Sequence, residues 1–165
     1  MEKNPVAKMT MENGKVIEIE LSPLDAPITV ENFVSLVNSG FYNGLTIHRI
    51  VPGFVIQGGD PLGNGMGGSD KKIKGEFSEN GVENNLKHVK GVISMARAFD
   101  PDSASSQFFI VLETSPMVSY SLDGKYAGFG KVISGMDAVD EIAACRTDAN
   151  DMPIDEVRIK TIEMV

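Results

Sequence analysis

Cysteine is nearly absent from this 165-residue chain, which has only Cys145. An intramolecular disulfide is therefore excluded, and the fold must be held by its core alone; the pattern fits a reducing compartment. A chain this long buries roughly 70% of the surface its unfolded form exposes, enough to do without a covalent staple. Histidine is scarce too. His48 and His88 are the two in the sequence, and they do not form a spaced metal-ligand set. Long apolar runs are missing; the longest, 108–112, is far too short to cross a bilayer. The opening residues 1–15 are charged throughout and contain nothing resembling a signal peptide, so a cytoplasmic protein is expected. Basic residues are in deficit, 15 against 23 acidic, for a net charge of −8. That sign opposes generic binding to nucleic acid or to anionic membranes.

What is present is an ordinary globular mixture, 42% hydrophobic and 23% charged, with 17 glycines and 8 prolines that point to many turns. No composition break divides the chain, so one domain over 1–165 is expected. Ala7, Met9 and Met11 alternate with polar neighbours, as do Ile17, Ile19 and Leu21. Asn13-Gly14 between them is a strong hairpin signal, because both residues tolerate positive φ. A helix is expected next, with Thr29 as N-cap, Val30, Phe33, Val34 and Val37 at helical spacing, and Gly40 as the stop. A second is expected from near Ser134, with Met136, Val139, Ile142 and Ala143 as its stripe. Strands are expected at 46–51, 55–57, 92–96, 107–112, 127–132 and 157–164. In the last, a change of parity between Ile159 and Ile162 calls for a bulge near Lys160 or Thr161. Eight short strands and two helices suggest a sandwich or a closed barrel. Two loops, the glycine-rich 58–68 and the polar 99–106, are longer than a hairpin needs and are candidate binding edges.

Strict alternation over 46–51 puts Arg49 in a row with Ile47 and Val51. A guanidinium in an apolar row must pair with a carboxylate, reach solvent or face an open groove. The pattern alone leaves these open. Gln57 shares a face with Val55. In 107–112, Gln107, Phe109 and Val111 take one face and Phe108, Ile110 and Leu112 the other, so both faces need an apolar neighbour. His48 faces away from Arg49 and reads as structural, His88 as a loop residue and Cys145 as an inert thiol at a helix end. The glycine-rich loop lacks the Gly-Lys-Ser/Thr ending of a phosphate-binding loop.

The run Thr46-Ile47-His48-Arg49-Ile50-Val51-Pro52-Gly53-Phe54-Val55-Ile56-Gln57-Gly58-Gly59-Asp60 resembles the cyclophilin signature around its catalytic arginine. Ser105-Ser106-Gln107-Phe108-Phe109-Ile110 resembles the second signature of that family. Glu31-Asn32-Phe33, Gly91-Val92-Ile93-Ser94-Met95-Ala96, Leu122-Asp123-Gly124 and Phe129-Gly130-Lys131-Val132 match in the same order. The resemblance runs from about Asn4 to the C-terminus. It implies a closed eight-stranded antiparallel β-barrel capped by two α-helices, and a peptidyl-prolyl cis-trans isomerase that assists folding without metal or cofactor. Its partners would be proline-containing peptides and unfolded or folding proteins, and it would act as a monomer. The compact loop before Thr46 resembles bacterial-type members.

The resemblance also implies roles for single residues. Arg49 and Gln57 match the catalytic positions. Phe54, Phe109 and Leu122 match the walls of a proline pocket, with Val55 where many relatives have methionine. Ala96, Arg97 and Gln107 match positions that hold the residues before proline, Arg97 largely through its backbone, and Met66 is expected to help shape that region. Tyr126 stands where many relatives have histidine and still offers a ring edge and a hydroxyl. Ser121 stands where many have a tryptophan linked to cyclosporin binding, so weakened cyclosporin affinity is expected. A binding module that recognises proline segments without turnover is the competing reading; a pure binder can dispense with the arginine, which is kept here.

Overall fold

The structure, a computed structural model, describes residues 4–165; residues 1–3 of the charged opening segment lie outside it. The expected hairpin opens the fold. β1 (Val6–Met11) and β2 (Val16–Leu21) pair antiparallel from Val6–Glu20 to Thr10–Val16, with Gly14 at φ +87° in the turn. Six more strands follow: β3 (Thr46–Val51), β4 (Val55–Asp60), β5 (Val92–Met95), β6 (Phe108–Val111), β7 (Gly128–Ser134) and β8 (Ile159–Met164). All eight lie in one sheet, in the order β3-β4-β6-β5-β7-β2-β1-β8, and every pairing is antiparallel.

The expected closed barrel is corrected to a curled sheet. Its edge strands β3 and β8 share no continuous ladder. They approach at one bridge, Thr46 with Arg158, supported by Ile47 N–H to Val157 O (2.8 Å) and Ile159 N–H to Leu45 O (2.8 Å). The segment before β8 and not β8 itself meets β3, which leaves the seam only partly zipped. The bulge expected in β8 is present at Lys160. Thr10 pairs with Thr161 and Met11 with Ile159, so Lys160 is the extra residue and both Ile159 and Ile162 turn inward.

Among the described residues there are three α-helices, not two: α1 (Pro27–Asn38), α2 (Pro116–Leu122) and α3 (Met136–Ala143). α2 spans seven residues and buries only Val118 and Leu122, too short a stripe for periodicity to reveal. Its start is written in Ser115-Pro116, a serine whose Oγ accepts from Val118 N–H (3.1 Å) followed by proline at the first helical position. Thr29 is not the N-cap of α1, which begins at Pro27 after Ala26. Thr29 is buried in the first turn, where its N–H (2.6 Å) and Oγ1 (2.7 Å) both donate to Glu76 Oε1, and Ile28 N–H donates to Oε2 (3.2 Å). A buried carboxylate from a distant loop thus does the capping, favoured also by the positive end of the helix dipole. α3 begins two residues later than expected, after Gly135 at φ +87°.

Two apolar clusters result. The larger lies inside the curl and under α1 and α3, with Phe33, Tyr42, Phe108 and Phe129 in edge-on and tilted contact at its centre. The smaller lies on the outer face, where Val55, Val92, Phe109, Val111, Val118 and Leu122 pack together. The two faces of β6 behave as expected: Phe108, Ile110 and Leu112 join the inner cluster, Phe109 and Val111 the outer one. α2 covers part of that outer face and leaves a groove beside it. Among the described residues no helix is long and apolar enough to cross a membrane.

Candidate active site

Arg49 reaches the groove because β3 does not alternate strictly. Ile47 pairs with Gly58 and Arg49 with Gln57, so His48 is an extra residue in the ladder. That bulge puts Ile47 and Ile50 both into the inner core and leaves Arg49 on the outer face, half-buried. The expected row of Ile47, Arg49 and Val51 is therefore broken at Ile47. A bulge re-aims a side chain by inserting one residue, and here it takes the guanidinium out of an apolar row. Among the described residues Arg49 has no carboxylate partner, which removes the structural ion pair as its explanation.

A relay of side-chain amides sets its direction. Arg49 Nη1 donates to Gln57 Oε1 (3.2 Å), Gln57 Nε2 donates to Gln107 Oε1 (2.9 Å), and Gln107 Nε2 donates to the carbonyls of Gly67 (2.7 Å) and Gly65 (3.0 Å). Those carbonyls accept only, so they fix which end of each amide faces onward, and the last oxygen faces Arg49. The glycine-rich loop is fastened in turn by Asp60, a buried carboxylate accepting from the N–H groups of Leu62 (2.8 Å), Asn64 (3.1 Å) and Gly65 (2.6 Å). Burial pushes the Asp60 carboxyl up, but the backbone donors outweigh it and hold the group below its ordinary range.

Next to Arg49 and Gln57 is a cavity of about 320 Å³. Phe54, Val55, Phe109 and Leu122 form its apolar wall, and Tyr126 stands edge-on to Phe109 with ring centroids 5.5 Å apart. Ala96 and Arg97 complete the lining. All the expected site residues meet here except Gln107, which lies in the adjoining cavity and joins through Gln57. The Arg97 side chain does more than expected. Its guanidinium donates to the carbonyls of Lys125 (3.0 and 2.8 Å), Ala98 (3.0 Å) and Phe99 (3.2 Å), and lies over the rings of Phe77 and Tyr126. It clamps the Tyr126 wall in place. Met66 is exposed on the rim of the adjoining cavity, and Ser121 is exposed on α2.

Residues behind the groove were not legible as site residues. Asn32 Nδ2 donates to Ser105 O (2.7 Å), Tyr42 Oη to Ser106 O (2.9 Å) and Ser106 Oγ to Gly59 O (2.7 Å), which anchor the start of β6 to α1 and to β4. His88 lies in a loop, as expected, but is buried. Its Nδ1 meets Asp123 Oδ1 (2.9 Å), its Nε2 meets Ser94 Oγ (2.8 Å), and its ring stacks on Phe109. It holds the back of the apolar wall. His48 is also buried, and among the described residues neither ring nitrogen has a hydrogen-bond partner.

A family model described as cyclophilin type peptidyl-prolyl cis-trans isomerase/CLD matches residues 6–164. The chain belongs to the cyclophilins. It is 43% identical to peptidyl-prolyl cis-trans isomerase ppi1 of Schizosaccharomyces pombe over 88% of this chain and 90% of that protein. It is 42% identical to peptidyl-prolyl cis-trans isomerase-like 1 of Gibberella zeae over 100% of this chain and 96% of that protein. Among solved structures, a Cryptosporidium parvum cyclophilin crystallised in the presence of the dipeptide Ala-Pro superposes with a TM-score of 0.85 and 33% identity. That alignment covers 97% of this chain and 98% of the other. Cyclophilins of this type are enzymes of the isomerase class.

The two buried imidazoles give this cyclophilin a defined pH response. Burial lowers the His48 value, reinforced by Arg49 and opposed by Asp60; burial lowers the His88 value, opposed by Asp123. An unfolded histidine titrates near about 6.5. As pH falls from there toward the folded values, the unfolded chain takes up protons that the folded chain refuses, so stability declines. Urea midpoints are expected to fall steadily between about pH 7.5 and 5, with the imidazole NMR shifts of both residues titrating at lower pH than those of the unfolded chain. A midpoint that rises over this range contradicts the assignment.

Proposed function

We propose that this cyclophilin accelerates rotation about X-Pro bonds of unfolded and folding proteins, with the proline ring in the Phe54–Phe109–Leu122 cavity and Arg49 as the donor. The observation that carries this is one cavity lined jointly by a guanidinium and an apolar wall. Rotation breaks no covalent bond, so the reaction asks for no nucleophile, metal or cofactor. The barrier of about 18–20 kcal/mol is amide resonance. As the bond twists, the prolyl nitrogen recovers its lone pair and becomes an acceptor that the planar amide lacks. A donor aimed at that nitrogen binds the twisted state better than the planar one, which is the condition for catalysis. Arg49 suits the role because its fork is always charged, and one N–H is already committed to Gln57, which fixes its plane. The apolar wall holds a ring that has no N–H to satisfy, and Ala96, Arg97 and Gln107 hold the chain before it.

The bridge at Thr46 and Arg158 brings the sheet edges together, and this supports a barrel closed at that end only. Action as a single-domain monomer in the cytoplasm belongs to the same proposal, supported by the lone cysteine and the acidic balance. Purified protein is expected to accelerate cis-to-trans relaxation of a short Ala-Pro peptide, and no acceleration rules the proposal out. In the same assay cyclosporin is expected to inhibit weakly. Ser121 leaves the α2 rim without a large ring, and Ser121→Trp is expected to lower the inhibitory concentration by roughly tenfold or more. Equal inhibition of the two proteins removes Ser121 as the cause.

A further inference from the structure

A second cavity, of about 340 Å³, adjoins the proline pocket and shares Gln57, Ala96 and Arg97 with it. The two differ in chemistry. The first is walled by aromatic and branched side chains. In the second the carbon-rich side chains are Met66, Ala96 and Ala98, and the rest is amide, hydroxyl, cation and bare backbone of the glycine-rich loop. That backbone can lie so close because it has no side chains: a Cβ at Gly67 would run into Asp60, and one at Gly68 into Ser105.

The charge of this second cavity runs against that of the molecule. Its lining contains Lys72 and Arg97 and no aspartate or glutamate, and the first cavity adds Arg49 with no acid either, in a chain of net charge −8. Lys72 is exposed and makes no ion pair among the described residues; Asp70 and Lys71 precede it and Lys74 follows, so the segment carries three lysines against one acid. The guanidinium of Arg97 spends its donors on carbonyls, so its positive charge is fixed in place and left uncompensated by a carboxylate. Ser69, also in the lining, has a buried hydroxyl with no hydrogen-bond partner. A polar recess with a free ammonium, a spare hydroxyl and an uncompensated guanidinium is built for an anion.

We propose that this cavity selects substrates with an anionic side chain, aspartate, glutamate or phosphoserine, two residues before the isomerised proline. This rests on the reading of the first cavity as the proline site. An extended peptide puts residues i and i+2 on one side, about 7 Å apart, so a chain with its proline ring in the first cavity presents that side chain to the second. Lys72 supplies the mobile charge that meets the anion. Arg97 contributes mainly field, since four of its five N–H donors are taken by carbonyls. The selection acts on encounter and binding, and so appears in KM more than in kcat, and weakens with salt.

The test uses peptides Xaa-Ala-Pro-Phe with Xaa as Ala, Glu, phosphoserine or Lys. At low salt the Glu peptide is expected to exceed the Lys peptide in kcat/KM by roughly tenfold, mostly through KM, and the gap closes at high salt. Comparison of the Glu and phosphoserine peptides tells which anion fits better. Lys72→Met removes most of the preference and Lys72→Glu reverses it, while the Ala peptide is turned over alike by all three proteins. Direct binding of the same peptides, followed through the amide shifts of Ser69 and Lys72, reads the pocket even without turnover. Equal kcat/KM and equal binding for Glu and Lys peptides, or a preference unchanged in Lys72→Glu, overturns the proposal. Failure with the Ala peptide alone would instead strike at the proline site.

Discussion

Arg49→Ala is expected to lower kcat/KM for an X-Pro peptide by about a hundred- to a thousandfold, the usual cost of removing one preorganised donor from a developing charge. Stability should change little, because the side chain is half-buried on the outer face, makes one side-chain hydrogen bond and has no ion-pair partner. The variant separates two readings of the groove. If Arg49 served binding alone, KM would rise with kcat held. If it engages the nitrogen of the twisted bond, kcat falls with kcat/KM. Arg49→Lys is expected to recover only a small part of the rate, since an ammonium cannot be held by Gln57 and aimed at the substrate as a planar fork can. Measurement is by relaxation of a short peptide, with thermal unfolding as the control for folding. An unchanged rate in Arg49→Ala would falsify the assignment.

The largest effect on stability outside the aromatic core is expected at Glu76. Its carboxylate is buried and receives three donors from the first turn of α1, two of them backbone N–H groups with no other partner in the helix. Glu76→Ala leaves the buried N–H and hydroxyl of Thr29 unsatisfied and strips the partly buried Ile28 N–H of its acceptor, at a cost of about 3 kcal/mol. For a chain of this size that corresponds to a fall in Tm of roughly 6–12 °C. Glu76→Gln keeps one acceptor oxygen and is expected to lose about half as much. Calorimetry of both variants checks the order; a Glu76→Ala protein as stable as wild type would mean that water replaces the carboxylate at the helix start.

Much of the site was legible because its parts are local. The run from Ile47 to Asp60 carries Arg49, Phe54, Val55 and Gln57 within one hairpin, and pairing of neighbouring strands brings Arg49 opposite Gln57. Alternation along β6 separated Phe108 from Phe109 correctly, since a period of two needs no knowledge of what lies on either side. The bulge at Lys160 was visible as a change of parity. The bulge at His48 carries the same mark, since Ile47 and Ile50 stand on opposite parities around two polar residues, but Arg49 also fits a row with Ile47 and Val51, and only the cross-strand register decides between the two. α2 escaped for a related reason: seven residues with two buried positions carry too little periodicity.

The sequence by itself determined which strands exist, which faces of them are apolar, and the family to which the chain belongs, because side-chain period and motif order are properties of adjacent residues. Tertiary structure alone decided how Arg49 leaves the core row, what orders its fork through Gln57, Gln107 and the carbonyls of Gly65 and Gly67, and that a carboxylate from a distant loop starts α1. It also decided that the seam between β3 and β8 is only partly zipped, and that Lys72 and Arg97 meet in one recess whose lining holds no acid. The reason is common to all five. Each depends on groups far apart in the chain meeting at hydrogen-bond or van der Waals distance, and no local pattern encodes which distant partner satisfies a buried donor or an uncompensated charge.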